Sequence, residues 1–339
     1  MAILLIILIL IALLAIYPVI RDYFQRKKIL PVSYTEGLRA MLDGKIDEAI
    51  EYFKQSVQVD SNNIDAYLRL AFLYKKKGNT EMEEKIFERL ALRRNMSPED
   101  ERKVYQELGK YYFETLRNQK AIAIYEELLN IDKNNITNYE RLLTLYLRTK
   151  QWSVCEDLLK KLEKVCSNPE QIAQYYVTVA KTLFDEKPED AAKYLKEALK
   201  HYRKNPEALV LLGKYYYQHQ EIAEAIKIWN EFLSYYPERN SEIRKNLEEA
   251  YYDLNRYDEI IEVYQSLLRR SPDDISLYFA LAKIYEKKED ILSAIKVLEE
   301  MPPKKLKEIL PQVALARLYL LKGEPERARF YLDRVMDNY

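Results

Sequence analysis

Hydrophobic residues fall along this chain in two regimes. From Ala2 to Ile20 nineteen residues pass without a charge, which at a rise of about 1.5 Å per residue predicts a helix of roughly 28 Å, the thickness of a bilayer core. A cleaved leader would show a basic start and a small-residue cleavage site, and an interfacial helix would keep a polar face. The segment, which opens Met1-Ala2-Ile3 and runs into Tyr17-Pro18-Val19-Ile20, offers neither. Beyond it, apolar residues alternate with charged ones at helical spacing, and the whole pattern recurs every 34 residues or slightly more.

The recurrence is carried by named positions. One row of mostly small or aliphatic residues runs Ala49, Glu83, Ala121, Cys155, Ala191, Ala225, Ile260, Ala294 and Ala328, at steps of 34, 38, 34, 36, 34, 35, 34 and 34. Four residues after each come Phe53, Phe87, Tyr125, Leu159, Leu195, Trp229, Tyr264, Leu298 and Leu332, so the two rows share one helix face. Nine residues before the small row stand Ala40, Tyr74, Tyr112, Tyr146, Thr182, Tyr216, Tyr251, Tyr285 and Tyr319 on a preceding helix. Each unit therefore reads as two helices and a turn. Gly44, Gly78 and Gly323 fall in that turn, where a left-handed backbone suits glycine, while Gly37, Gly109 and Gly213 fall where the two helices approach each other. The 38-residue step contains Ser97-Pro98-Glu99-Asp100 and the 36-residue step Asn168-Pro169-Glu170-Gln171. Both are expected to be longer loops leading into well-capped helices.

Leu108-Gly109, Tyr112, Ala121 and Tyr125 are the cleanest copy of a pattern that resembles the tetratricopeptide repeat, a helix-turn-helix unit of 34 residues. The expected fold is all-α: a superhelical solenoid of about nine helical hairpins preceded by one transmembrane helix. Residues 1–20 are the anchor, 21–33 a basic juxtamembrane linker and 34–339 the solenoid. Arg21, Arg26, Lys27 and Lys28, opposed by Asp22 alone, place the solenoid in the cytoplasm.

Composition narrows the chemistry. With 54 basic and 54 acidic residues the chain has no net charge and no electrostatic footprint for nucleic acid. Six glycines, all accounted for by the repeat, leave none for a phosphate-cradling loop. Cys155 and Cys166 have no CxxC partner, and His201 and His219 are the only histidines. Cys155 takes a small-residue position, so it reads as a packed core thiol. No catalytic residue, metal site or cofactor is expected, and the chain is expected not to be an enzyme.

What remains is recognition of other proteins. In tetratricopeptide arrays the concave groove is lined by first-helix positions, here Leu68, Phe72, Phe113, Leu147, Tyr176, Leu183, Tyr217, Tyr252 and Phe279. Two uses compete for them: burial against the next repeat or, as a row, a surface for an amphipathic helix or extended peptide. A receptor for a chaperone's C-terminal tail is excluded, because the positions of its basic clamp read Leu68/Phe72, Gln106/Lys110, Glu140/Thr144 and Lys245/Glu249.

A narrower resemblance runs from residue 34 to about 275. It rests on Tyr34-Thr35-Glu36-Gly37-Leu38, the Arg94 to Arg102 loop with Ser97-Pro98-Glu99, Leu142-Leu143 through Tyr146 to Lys150 and Trp152, Ile172-Ala173-Gln174-Tyr175-Tyr176, and Ala225-Ile226-Lys227-Ile228-Trp229. In order and spacing these are similar to the lipopolysaccharide assembly protein B (LapB) family. The resemblance implies an adaptor on the cytoplasmic face of an inner membrane. Its implied partners are a membrane protease that degrades the committed enzyme of lipid A synthesis, and lipopolysaccharide-export proteins. The family's rubredoxin-like module with two cysteine pairs is not matched, so no metal carries over. The alternative is a tetratricopeptide adaptor for another membrane assembly, such as a secretion or pilus machine.

Overall fold

The period of the sequence becomes a series of helical hairpins. The structure, a computed structural model, describes residues 32–93 and 96–336, and among these every regular element is a helix. The chain divides into two compact units, up to Lys160 and from Lys161. The first holds α1 (Val32–Leu42), α2 (Ile46–Val59), α3 (Ile64–Lys76), α4 (Thr80–Ala91), α5 (Pro98–Glu114), α6 (Asn118–Ile131) and α7 (Ile136–Arg148). The boundary falls inside α8 (Trp152–Val165). The second holds α9 (Pro169–Leu183), α10 (Pro188–His201), α11 (Pro206–Gln218), α12 (Ile222–Tyr235), a 3-10 turn (Pro237–Glu242), α13 (Arg244–Asp253), α14 (Tyr257–Arg270), α15 (Ile275–Lys287), α16 (Ile291–Glu299), α17 (Pro303–Leu306), α18 (Ile309–Lys322) and α19 (Pro325–Met336). Setting aside the short α17, the described helices follow one another as nine first-helix and second-helix pairs in sequence, eight of them packed as hairpins within one unit. The proposed anchor, with Arg21, Arg26, Lys27 and Lys28, lies outside the described residues. Among the described residues no helix is long and apolar enough to cross a membrane.

Local chemistry sets the helix ends. Asn63, Asn135 and Asn205 each accept a hydrogen bond from the backbone N–H three residues on, at 3.0, 3.2 and 2.9 Å, and so begin α3, α7 and α11. Within every hairpin but the fifth the turn carries one left-handed residue. Gly44, Gly78 and Gly323 supply it, and Leu116, Lys150, Gln220, Asn255 and Glu289 take the same conformation with φ between 54° and 63°. A side chain there costs about 1 kcal/mol or more, which the packing on either side of the turn must offset.

That packing follows the two apolar rows. Eight of the nine small-row residues are at most 1% exposed, and eight of the nine that follow four later are at most 5% exposed. The exceptions have physical reasons. Glu83 is buried as a carboxyl, and desolvation by burial pushes its pKa up. Leu332 is 43% exposed because no described helix follows α19 to cover it. Close approach of paired helices is sharpest at Gly213, where an added Cβ would meet the Trp229 ring at 2.2 Å.

The two irregular steps resolve differently. The 38-residue step does lie before α5: the connection lengthens, and α5 has 17 residues where α3, α7, α11 and α15 have 13, one extra turn begun by Ser97 and Pro98. The 36-residue step does not lie in the Asn168 loop. Leu142 and Tyr176, both buried in the first-helix stripe, are 34 apart, and Tyr176 and Leu212 are 36 apart. The two extra residues therefore sit in the α9–α10 turn, Phe184–Lys187, which has no left-handed residue. Accordingly Thr182 is exposed and Ala180 is buried in the place its row predicts.

Candidate functional site

Hairpin packing consumes one stripe of each first helix and leaves another open. In the second unit three first helices show this together. Lys245, Phe279 and Val313 stand at one register position of α13, α15 and α18, spaced 34 residues apart. Glu249, Lys283 and Arg317 follow four later, and Tyr252, Glu286 and Leu320 three after that, so three rows run across three helices.

Polar bonds hold the helices side by side. Arg244 of α13 donates to Asn240 and to the Ser276 hydroxyl, 2.8 Å, at the start of α15. Arg317 of α18 grips the Glu286 carboxylate of α15 with contacts of 2.6 and 2.8 Å. Between α13 and α15 opens a cleft of about 490 Å³ lined by Arg244, Lys245, Glu248, Phe279 and Lys283, among others. Glu248 is buried and accepts a hydrogen bond of 3.0 Å from Tyr264, whose phenol is raised well above its ordinary pKa, first by burial. Lys283 and Lys245 contact Glu248 and Glu249 only at 3.9 Å, and their side chains are 64% and 86% exposed. Beside the cleft, Lys287 lies 3.7 Å from the centre of the Tyr252 ring. Tyr217 donates to Asp253 at 2.8 Å, and this bond, then burial, pushes its phenol up to about 12. On the α18 side, Leu310, Val313 and Leu320 are exposed.

The residues expected to line a groove divide three ways. Phe279, Tyr217 and Tyr252 are half-buried on the face just described. In the first unit Phe72 is exposed, with Lys76 over its ring, and Leu68 is half-buried. Phe113 is half-buried, but Arg141 and Arg148 lie over its ring at 4.6 and 4.3 Å. Leu147, Tyr176 and Leu183 are buried and line no surface. For Tyr176 and Leu183 the reason is the longer α9–α10 turn, which places both in the packing stripe of their hairpin. Missed in sequence were Arg244, Lys283, Leu310, Val313 and Leu320. Their signal was the register itself, which carries Phe279 forward to Val313.

Other candidate chemistry is spent on structure. Tyr176 donates to Glu163, which also meets His201 Nε2 at 3.1 Å, and the Tyr176 ring stacks on the imidazole. Tyr176 is 6% exposed, so its ring is packed among α8, α9 and α10, with Glu163 and His201 half-buried at its edge. Cys155 is fully buried, its thiol pushed up to about 11 by that burial, and buried Cys166 points at Gln171 Oε1, 3.5 Å away. Among the described residues no group of three or more His, Cys, Asp or Glu side chains could hold a metal ion.

Stacked hairpins with an open first-helix face define a protein-interaction scaffold. Models of the tetratricopeptide repeat match residues 37–78 and 249–289, 185–248, and 64–94 and 103–135, together more than half of the chain. The chain belongs to the tetratricopeptide-repeat family. Within it the curated relatives are lipopolysaccharide assembly protein B of Escherichia coli K12, 22% identical over 69% of this chain and 61% of the relative, and of Haemophilus influenzae, 24% identical over 76% and 67%. The chain thus spans about 61% of the length of the E. coli relative. Among solved structures, Naa15/Naa10 bound to HypK-THB aligns over 89% of this chain and 57% of that one with a TM-score of 0.52 at 15% identity, a likeness of fold alone.

Proposed function

We propose that the chain is a membrane-anchored, non-enzymatic adaptor that acts in lipopolysaccharide assembly in the manner of its LapB relatives. Its uncharged Ala2–Ile20 segment would hold the solenoid at the cytoplasmic face of the inner membrane. Its open first-helix face would gather a membrane protease with an enzyme of lipid A synthesis or with export proteins. Tethering raises the effective concentration of one membrane-bound partner around another, so an adaptor of this kind works without chemistry of its own. The observation that carries the reading is the α13–α15–α18 face, where apolar and cationic side chains unused by packing stand together on a scaffold similar to lipopolysaccharide assembly protein B.

Affinity purification of the full-length protein from its own membranes in mild detergent tests this. Recovery of the protease or lipid A enzymes with wild type, and their loss in Phe279→Asp/Val313→Asp, is the expected outcome. Recovery of secretion or pilus components alone would replace the lipopolysaccharide assignment with another membrane assembly. Release of the full chain from membranes by salt would remove the anchor.

A further inference from the structure

We infer that the α13–α15–α18 face receives an acidic amphipathic helix of a partner protein, its carboxylates against Lys245 and Lys283 and its apolar flank on Phe279, Val313 and Leu320. The inference rests on the adaptor reading and specifies the chemistry of its partner.

Charge is the first argument. Three cations, Arg244, Lys245 and Lys283, line the cleft against one carboxylate, Glu248, which is itself bonded to Tyr264. Arg317 is satisfied by its two close contacts to Glu286, whereas the two ammoniums reach their carboxylates only at 3.9 Å and remain mostly exposed. Their charge is open to solvent, where an anionic partner complements it and a cationic one is repelled.

Geometry supplies the second. Leu310, Val313 and Leu320, at spacings of three and seven, make one stripe of α18 about 15 Å long. Phe279 and Lys283 stand one turn apart on α15, and the Arg317–Glu286 pair holds α18 beside it, so Lys283 and the apolar stripe fall under one partner helix about 10–12 Å across, with Lys245 reached from its outer flank. An extended strand laid flat on the face would offer one chemistry from its inward side chains. A flat anionic membrane is disfavoured by Glu249 and Glu286, which stand on the same rows.

The test uses the full-length protein in non-ionic detergent. The probe is a fluorescein-labelled synthetic helix of about five turns with Leu on one side and Glu on the other, and the control is its twin with Lys for Glu. Fluorescence anisotropy should show the Glu peptide binding at least tenfold tighter than the Lys twin, with affinity falling as salt rises. Lys245→Glu/Lys283→Glu should invert that order, and Val313→Asp/Leu320→Asp should weaken the Glu peptide about tenfold. Circular dichroism confirms folding, with the Lys→Gln pair as the milder variant. Equal binding of the twins, no binding of either, or displacement of the Glu peptide by phosphatidylglycerol in mixed micelles with the detergent would overturn the inference. If Lys245→Glu/Lys283→Glu still captured the complex recovered with wild type from membranes, the acidic-helix inference would fall and the adaptor would stand. A wild-type protein that captured no partner would bring down both.

Discussion

In the fifth hairpin α9 and α10 are joined through Phe184–Lys187 with no left-handed residue, and Tyr176 lies buried with its hydroxyl on Glu163 and its ring on His201. In the sixth, α11 and α12 turn at Gln220, φ 63°, and Tyr217 stays half-buried with its hydroxyl on Asp253. The close-approach position also differs: Gly213 lies under Trp229 in the sixth hairpin, while its register counterparts in the fifth are Val177 and Leu195, both fully buried. Both hairpins fill the same space, one with a large and an absent side chain, the other with two of middle size. Two residues in a turn have decided which tyrosine a partner could touch.

The largest effect that would break this comparison lies at the helix crossing. Gly213→Val drives a branched side chain into an indole already 2.2 Å from where a Cβ would stand, and should destabilise by about 3 kcal/mol or more in urea unfolding followed by circular dichroism. Trp229→Leu alone should cost about 2–4 kcal/mol through the cavity it leaves. The double variant rebuilds the Val177/Leu195 arrangement, so it should be more stable than the sum of the two losses by about 1–3 kcal/mol. Strict additivity would mean the two hairpins do not share one packing solution.

A smaller contrast concerns the tyrosine hydroxyls. Tyr176→Phe removes a donor from a half-buried carboxylate and should cost about 1 kcal/mol. Tyr217→Phe, at a more open site, should cost less than about 0.5 kcal/mol. Equal losses in the same unfolding measurement would contradict the burial assigned to Tyr176.

The smallest effect is titrational. Tyr217 should lose its proton near 12, because its hydrogen bond to Asp253 holds the proton and burial and the nearby carboxylate charge add to it. Asp253→Asn should bring it down toward the ordinary 10.0. The difference between the ultraviolet pH titrations of each protein and its Tyr217→Phe form isolates this one phenol, and an unchanged midpoint would remove Asp253 as the cause.

Much of the fold was legible because it is local. Ala49, Ala121 and Ala225 mark helix crossings by size alone, Gly44 and Gly78 mark turns by backbone freedom, and Asn63 or Asn205 mark helix starts by side-chain chemistry. The fifth hairpin was misread because a step of 36 between Cys155 and Ala191 does not say where in the interval the extra residues lie; the buried Leu142, Tyr176 and Leu212 do. At the site, counting apolar positions found Phe279 and Tyr252 but missed Arg244 and Lys283. It also could not tell that Arg141 and Arg148 cover Phe113.

By itself the sequence determined a repeated pair of helices, its number and, outside the fifth hairpin, the residues at the crossings, since a hairpin is specified by side chains within one period of one another. Only the tertiary structure decided which first-helix side chains stay open. Exposure depends on what the neighbouring helix brings, on a turn two residues longer, and on charges such as Arg317 and Glu286 that meet 31 residues apart. A cleft between α13 and α15 is a property of two helices side by side, and no single repeat contains it.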